Sequence, residues 1–188
     1  MIRSAIILIF ALLYLISTPS FACDLVYEVR RDDDVSELCV TIEKNTRGTI
    51  YRSTFRDVKQ LYHYNTENSL TRWEYAESGA NTEFKADRNG DEILFRGISN
   101  GQPLNKSLIV GEEIWLQNSE FGLLEFLTSK QKFKEFIVVS PEDLSINKIF
   151  ANQAVTEEIT WNDQKIEVVK LTARLRGFLS LFWQATYW

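Results

Sequence analysis

Hydrophobic and polar residues alternate along most of this chain in short runs, and turn-forming residues separate the runs. The clearest case is "EFKADRNGDEILF", where the Asn89-Gly90 pair supplies the positive φ angles that a type I′ hairpin turn demands. The stretch "NTRGT" and the pair Asn162-Asp163 divide two further strand-like regions in the same way. This pattern is typical of antiparallel β structure, and the usual strand length predicts roughly ten strands.

The stretch "LTRWEYAES" indicates what kind of sheet these strands form. Thr71, Trp73 and Tyr75 fall on one face of the predicted strand, whereas Arg72 and Glu74 fall on the other. Such alternation is found in antiparallel sheets that bury one face and leave the other in solvent. We therefore predict a large antiparallel sheet with one wet face.

One segment departs from the alternation. Residues 119–129 follow an Asn118/Ser119 cap signal, although Gly122 lowers the helical propensity. The residues at helical spacing are Leu123, Leu124 and Leu127. The segment is predicted to form one short helix against the sheet. The predicted fold class is thus mainly β, with a large, strongly curved antiparallel sheet and one short helix covering it.

The end of the chain, "RGFLSLFWQATYW", is the part richest in aromatic side chains. As a strand, it would place Leu179, Leu181, Trp183, Ala185 and Tyr187 on one face. Helical spacing fits a different set, but the aromatic enrichment favours a strand; the helical set is Phe178, Leu181, Phe182, Ala185 and Trp188. A membrane anchor is excluded because a bilayer span needs about 20 apolar residues.

The start of the chain has the composition of a secretory signal peptide. A basic residue precedes an apolar run over 5–16, and small residues lead to a cleavage position after Ala22. Pro19 stops the apolar run short of a transmembrane helix. We predict a signal peptide over 1–22 and a single β-rich domain over 23–188. The domain would be periplasmic or secreted, and would not be an integral membrane protein after cleavage.

Charge narrows the classes of partner. The net charge of the chain is −5, and the predicted signal peptide removes only one basic residue from this balance. An acidic surface gives no electrostatic footprint for nucleic acid or for anionic lipid heads. Nucleic-acid binding is therefore excluded.

Cys23 and Cys39 are the two cysteines of the sequence, and an exported protein can join such a pair in a disulfide. A hairpin around "RDDDVSE" would place Cys39 across from Val29, so the bond requires the first residues to fold back. Two free thiols are the second interpretation. Lipidation of Cys23 is the third, and it is disfavoured because Ser20 stands where a lipoprotein signal usually has leucine.

The sequence offers little for catalysis. "GISNG" around Ser99 matches the nucleophile-elbow pattern, but an elbow needs a following helix and a later histidine, and the only histidine, His63, precedes it. We interpret this stretch as a glycine-rich β turn. One histidine and two distant cysteines do not make a structural zinc site. The prediction is a non-enzymatic protein without a metal or a cofactor.

Aromatic residues remain as candidates for binding. The chain has 5 Trp, 7 Tyr and 12 Phe, and most such side chains in proteins form ordinary core. A curved sheet under one helix, however, leaves an apolar concavity that can hold a hydrophobic ligand, such as a lipid or acyl chain. The predicted wall residues are Trp73, Tyr75, Phe95, Trp115, Phe126 and Trp183. The alternative function is a cell-envelope module that docks a protein partner through a sheet edge or an aromatic patch.

The order of these motifs resembles a known architecture. "LVYEV", "LCVTIEKNTRGTIYRSTF", the Asn-Gly hairpin, the Leu-rich segment, "TEEITWNDQKIEVVKLTARL" and "FWQATYW" follow one another as in a group of uncharacterised exported bacterial proteins. That group is similar to the periplasmic lipoprotein carriers and outer-membrane lipoprotein receptors. The resemblance implies a half-open antiparallel barrel in an exported protein, and less strongly a role in carrying lipoproteins. It also implies a further strand after Trp188, so the chain is expected to lack its final strand.

Overall fold

The computed structural model describes residues 23–31, 34–118, 122–123, 126–127, 129, 131–161, 164–176 and 184–187. The signal peptide predicted over 1–22 lies outside these residues. Twelve strands occur in the described part: β1 Leu25–Arg31, β2 Asp34–Asn45, β3 Gly48–Phe55, β4 Val58–Tyr64, β5 Leu70–Glu77, β6 Thr82–Asn89, β7 Glu92–Ser99, β8 Gln102–Ile109, β9 Phe133–Val139, β10 Ile146–Trp161, β11 Gln164–Leu175 and β12 Gln184–Tyr187.

The strands form two antiparallel sheets. The first contains β1 to β8 in chain order, so every strand pairs with its neighbours in sequence, and the second has the order β12-β11-β10-β9. The prediction of a mainly antiparallel β protein is confirmed. Neither of the two described sheets closes into a barrel. The expectation of one large sheet is corrected, because the chain leaves the first sheet after β8 and builds the second one from β9 onward.

The chain between β8 and β9 joins the two sheets, and residues 110–118 of this connection contact β9. Trp115 forms an isolated parallel bridge with Ile137 of β9. Gln117 extends the contact, since its Nε2 donates to the Val139 carbonyl oxygen at 2.7 Å and its Oε1 accepts from the Val139 N–H at 3.1 Å. The connecting segment is therefore hydrogen-bonded to the edge strand of the second sheet.

Two of the predicted hairpins lie where the sequence placed them. "NTRGT" contains the turn between β2 and β3, with Asn45 paired to Gly48. Trp161 pairs with Gln164 across the end of β10 and the start of β11. The predicted turn residues between that last pair, 162–163, lie outside the described residues, but the register on both sides confirms the hairpin.

The hairpin at Asn89 is confirmed with a shift of one residue. Asn89 pairs with Glu92 as the last residue of β6, so the two turn positions are Gly90 and Asp91. Gly90 has a φ of 64°, whereas Asp91 does not have a positive φ. A glycine with positive φ at the first turn position alone is the requirement of a type II′ turn, and the predicted type I′ turn is wrong.

A β-bulge changes the predicted face of β5. Tyr64 pairs with Leu70 and His63 pairs with Arg72, which leaves Thr71 without a partner position on β4. Thr71 is exposed, and Leu70 takes the buried position at 3% exposure. The strict alternation that placed Thr71 on the buried face is therefore wrong at this residue, because the extra residue reverses the facing of the strand.

Two hydrophobic clusters lie on either side of β9. Side chains alternate along the strand, so Ile137 and Val139 face the first cluster while Phe136 and Val138 face the second. The other buried residues of the first cluster are Tyr62, Tyr64, Leu70, Trp73, Tyr75, Phe84, Ala86, Ile93, Phe95, Val110, Trp115 and Leu144. The other buried residues of the second are Leu116, Leu123, Phe126, Ile149, Ala151, Leu171 and Ala173.

The helix predicted over 119–129 stays a prediction, because most of that segment lies outside the described residues. Its described part contributes two backbone hydrogen bonds of helical spacing. The Gly122 N–H donates to the Asn118 carbonyl at 3.0 Å, and the Leu127 N–H donates to the Leu123 carbonyl at 2.9 Å. Among the described residues, no helix has the length and apolar character needed to cross a membrane.

The predicted disulfide joins Cys23 and Cys39, with their Cα atoms 5.5 Å apart. The predicted register is wrong, because Cys39 pairs with Val26 rather than Val29. β2 begins at Asp34, earlier than the sequence suggested, and the hairpin is correspondingly tighter. The N-terminal residues then reach the bond without a long fold-back. The disulfide is compatible with an oxidising, exported compartment.

The predicted C-terminal strand is confirmed where the structure describes it. β12 pairs with β11 in antiparallel register, with Ala185 opposite Ala173 and Tyr187 opposite Leu171. Both partners on β11 are buried at 1% exposure or less. The other residues of the predicted face lie outside the described residues; they are Leu179, Leu181 and Trp183.

Candidate functional site

The predicted wall residues lie in two different clusters. Phe126 belongs to the second cluster, and Trp183 lies outside the described residues. The remaining four are at most 7% exposed and belong to the first cluster: Trp73, Tyr75, Phe95 and Trp115. The first sheet and the connection after β8 therefore bring these four together, but as members of a packed core.

Phe84 stands at the centre of this aromatic packing, although it was not among the wall residues predicted from the sequence. Its ring lies 5.0 Å from Trp73 and 5.8 Å from Phe95 in edge-to-face geometry, and it stacks on Tyr75 at 5.3 Å. Such ring pairs contribute about 0.5–1.5 kcal/mol each beyond the area they bury. Rings rather than a cavity thus occupy the interior beside β5, β6 and β7.

Each polar end of these aromatic side chains has a partner. Trp73 Nε1 donates to Gln60 at 3.0 Å, and Tyr75 donates its hydroxyl to the Glu77 carboxylate at 2.7 Å. Burial and this hydrogen bond raise the pKa of Tyr75 above its usual range. These satisfied groups indicate a structural role for the first cluster.

The opposite face of the first sheet carries two rows of side chains across β3 to β7. Because directly paired residues share a face, each row follows from the register. One row consists of Thr54, Lys59, Ala76, Glu83 and Ile98. The adjacent row consists of Arg52, Leu61, Glu74, Lys85 and Arg96.

All ten residues of these rows line one cleft of about 630 Å³. This volume lies within the range of about 300–1,000 Å³ that is usual for small-molecule sites. Its apolar surface comes from Leu61, Ala76 and Ile98, together with the stems of the lysines and arginines. Tyr75 also borders the cleft. Among the predicted wall residues in the described ranges, it is the only one that lines the cleft.

Gly97 fixes the shape of the cleft between β6 and β7. Its φ is 148°, and a Cβ at this position would overlap the Glu83 carbonyl oxygen and the Phe84 backbone. Only glycine lets two backbones approach in this way. The close approach brings the outward side chains of β6 and β7 next to each other.

His63 lies beside the cleft, on the next row of the same face. Its Nε2 is 3.8 Å from a carboxylate oxygen of Glu74 and has no hydrogen-bond partner among the described residues. Burial lowers the pKa of His63 below its ordinary value of 6.5, although Glu74 acts in the opposite direction. The folded protein therefore favours the neutral imidazole.

This lowered pKa predicts a pH dependence of stability. The unfolded chain binds a proton on His63 more readily than the folded protein does. The contribution of neutral His63 to the free energy of unfolding is therefore fully present above pH 6.5 and is lost as the pH falls through the folded pKa. We expect His63→Gln to remove this part of the loss between pH 7 and pH 5. Denaturant melts of both proteins at several pH values measure it, and identical slopes would contradict the prediction.

Ser99 has no elbow geometry. It is the last residue of β7, and the next strand, β8, begins at Gln102 after a two-residue turn. The interpretation as a β turn is supported, because a nucleophile elbow passes from a strand into a helix. Within the part of the chain that the structure describes, no group of three or more His, Cys, Asp or Glu side chains is arranged to hold a metal ion.

The comparisons with known proteins add no assignment to this geometry. No family model, no curated protein and no solved structure matches the chain.

Proposed function

We propose that this protein is an exported, non-enzymatic binding domain whose ligand is hydrophobic and carries an acyl chain or a similar apolar body. The observation that supports the proposal is the cleft of about 630 Å³ over β3 to β7. The sequence analysis predicted the same class of ligand, but with the aromatic residues lining its site. The packed aromatic core moves the proposed site to the other face of the sheet.

The cleft is suited to an apolar ligand because exposed aliphatic surface lines it. Ile98 is 44% exposed although it lies in the interior of the sheet face. Its row neighbours include Ala76, and Leu61 stands in the adjacent row. Strands are spaced by about 4.8 Å, so the rows extend over roughly 19 Å from β3 to β7. An extended chain laid across the strands would cover this apolar surface.

The half-open curvature and the periplasmic location belong to this proposal as well. A sheet that is not closed, with one face packed and a cleft on the other, is consistent with a curved carrier-like shape. The disulfide is compatible with export.

A pair of matched variants tests the position of the site. Ile98→Asp places a charge inside the cleft, whereas Ile109→Asp places the same charge at the end of β8, outside the cleft, at a residue that is 67% exposed. We expect Ile98→Asp to weaken binding of the neutral apolar probe N-phenyl-1-naphthylamine by about tenfold, which corresponds to about 1.4 kcal/mol. Ile109→Asp should bind the probe as the unmodified protein does.

Fluorescence titration measures both affinities, and thermal melts confirm that both variants remain folded. Equal probe binding by the two variants would show that the cleft is not the binding site. Native mass spectrometry of protein purified from its own exported fraction adds a direct test, because a bound lipid would appear as a discrete mass.

The alternative, an interaction module for an envelope protein, is favoured by a separate surface. Phe133 is 63% exposed on the edge strand β9, and its ring stacks on Phe150 at 5.7 Å. An open edge strand can pair with another chain, and exposed apolar surface marks sites of interaction. Cross-linking in envelope extracts that depends on Phe133 would support this function over ligand binding.

A further inference from the structure

The charge of the cleft is opposite in sign to that of the whole chain. Its two rows contain four basic side chains and two acidic ones, Glu74 and Glu83. The basic residues are Arg52, Lys59, Lys85 and Arg96. The chain as a whole carries a net charge of −5. The charges in the cleft act on a bound ligand more strongly than the distant charges of the protein do, because salt screens exposed charges beyond about 8–10 Å.

The basic side chains differ in how far the protein neutralises them. Arg52 lies 3.5 Å from Glu43, and Lys85 lies 3.5 Å from Glu74. By contrast, the side chain of Arg96 makes no ion pair or hydrogen bond with any residue in the described ranges, and the same holds for Lys59. Unpaired cations are therefore present at both β4 and β7.

Lys85 and Arg96 stand directly across from each other on β6 and β7. Like charges in this position repel and weaken a sheet. Gly97, beside Arg96, lets the same two strands approach closely. An anionic group between the two side chains would turn the repulsion into two charge-assisted hydrogen bonds, and the arginine fork suits a carboxylate or a phosphate.

Apolar surface begins next to this pair. Ile98 follows Arg96 on the same face of β7, and the aliphatic part of the cleft continues toward Ala76 and Leu61. We infer that the ligand is a single-chain anionic amphiphile, whose carboxylate or phosphate head lies between Lys85 and Arg96 and whose chain lies over the apolar part of the cleft. This inference rests on the proposed function and names the class of its ligand.

Arg96→Gln is the most informative variant, because Arg96 has no partner that its removal would leave unpaired. Lys106→Gln is the matched control, since it removes one positive charge from an exposed residue of the neighbouring strand outside the cleft. Binding of laurate, of 1-dodecanol and of inorganic phosphate would be measured by isothermal calorimetry, with both amphiphiles below their aggregation concentrations. The alcohol has the same chain length as laurate without the charge.

We expect Arg96→Gln to weaken laurate binding by about tenfold, the usual size of a lost charge-assisted contact. Lys106→Gln should leave laurate binding unchanged, and Arg96→Gln should weaken the binding of 1-dodecanol much less than the binding of laurate, because the alcohol has no charge that pairs with Arg96. Raising the salt concentration should weaken laurate binding and spare the alcohol.

The outcomes separate this inference from the proposed function. If laurate and 1-dodecanol both bind but Arg96→Gln changes the affinity for neither, the inference that the ligand has an anionic head is overturned. The proposed hydrophobic-ligand function then stands. If neither amphiphile binds, the proposed function fails and this inference fails with it. If inorganic phosphate alone binds as tightly as laurate, the cleft is a site for small anions, and the amphiphile is overturned.

Discussion

Replacing Phe84 with alanine is expected to lower the free energy of unfolding by about 3–5 kcal/mol, the usual cost of deleting a fully buried phenylalanine. Phe84 is 1% exposed, and its ring contacts Trp73, Tyr75 and Phe95. The variant leaves a cavity at the centre of the first cluster and removes three ring contacts at once. Such a loss is a large share of the roughly 5–15 kcal/mol that stabilise a typical domain.

Phe133→Ala is the matched control, because it removes the same side chain from a position that is 63% exposed. It loses only the stacking contact with Phe150, so we expect a cost of about 1 kcal/mol or less. Urea melts of both variants give the comparison, because a shift of the midpoint at an unchanged m-value reports a change in the free energy of unfolding. Losses of equal size would show that the aromatic face of the first sheet is not the core that the structure describes.

The hydrophobic pattern predicted the strands and most hairpins because side-chain alternation is a local property. It failed where one extra residue changes the facing of a strand, as at Thr71, whose bulge depends on the pairing of β4 with β5. It also misplaced the turn after Asn89 by one residue, since Asn89 pairs with Glu92 and only Gly90 has a positive φ. Register between strands is a tertiary property, and short motifs specify it weakly.

The same limit explains why the sequence analysis did not point to the face of the sheet that carries the cleft. Large aromatic residues are easy to find in a sequence, but Trp73 and Phe95 are completely buried. Lys85, Arg96 and Ile98 become a site only when β6 and β7 pair. The acidic net charge argued against anionic partners because it averages over the chain, whereas the register concentrates basic residues in one cleft. The signal for this cleft in the sequence was the set of basic and apolar residues at alternate, outward-facing positions of consecutive strands.

Removing the disulfide is expected to cost about 3 kcal/mol, because it joins cysteines separated by 16 positions and so restricts the unfolded chain. In the folded protein the bond fixes β1 at the edge of the first sheet. Asp24 lies next to Cys23, and its backbone N–H donates to the Val40 carbonyl at 2.9 Å. Its carboxylate accepts a hydrogen bond from the Ile42 N–H at 2.6 Å. The double variant Cys23→Ala/Cys39→Ala should therefore loosen β1 first.

Denaturant melts with and without reductant measure the loss, and the double variant is its own control because reductant should not change its stability. Hydrogen exchange should show the largest gain in β1 and little change in β5 and β6, since those strands lie in the interior of the sheet. Intact mass of exported protein tests the bond itself, because reduction of one disulfide adds two hydrogen atoms. Two free thiols, or a diacylglycerol adduct on Cys23, would contradict the pairing and would leave β1 held only by its hydrogen bonds to β2.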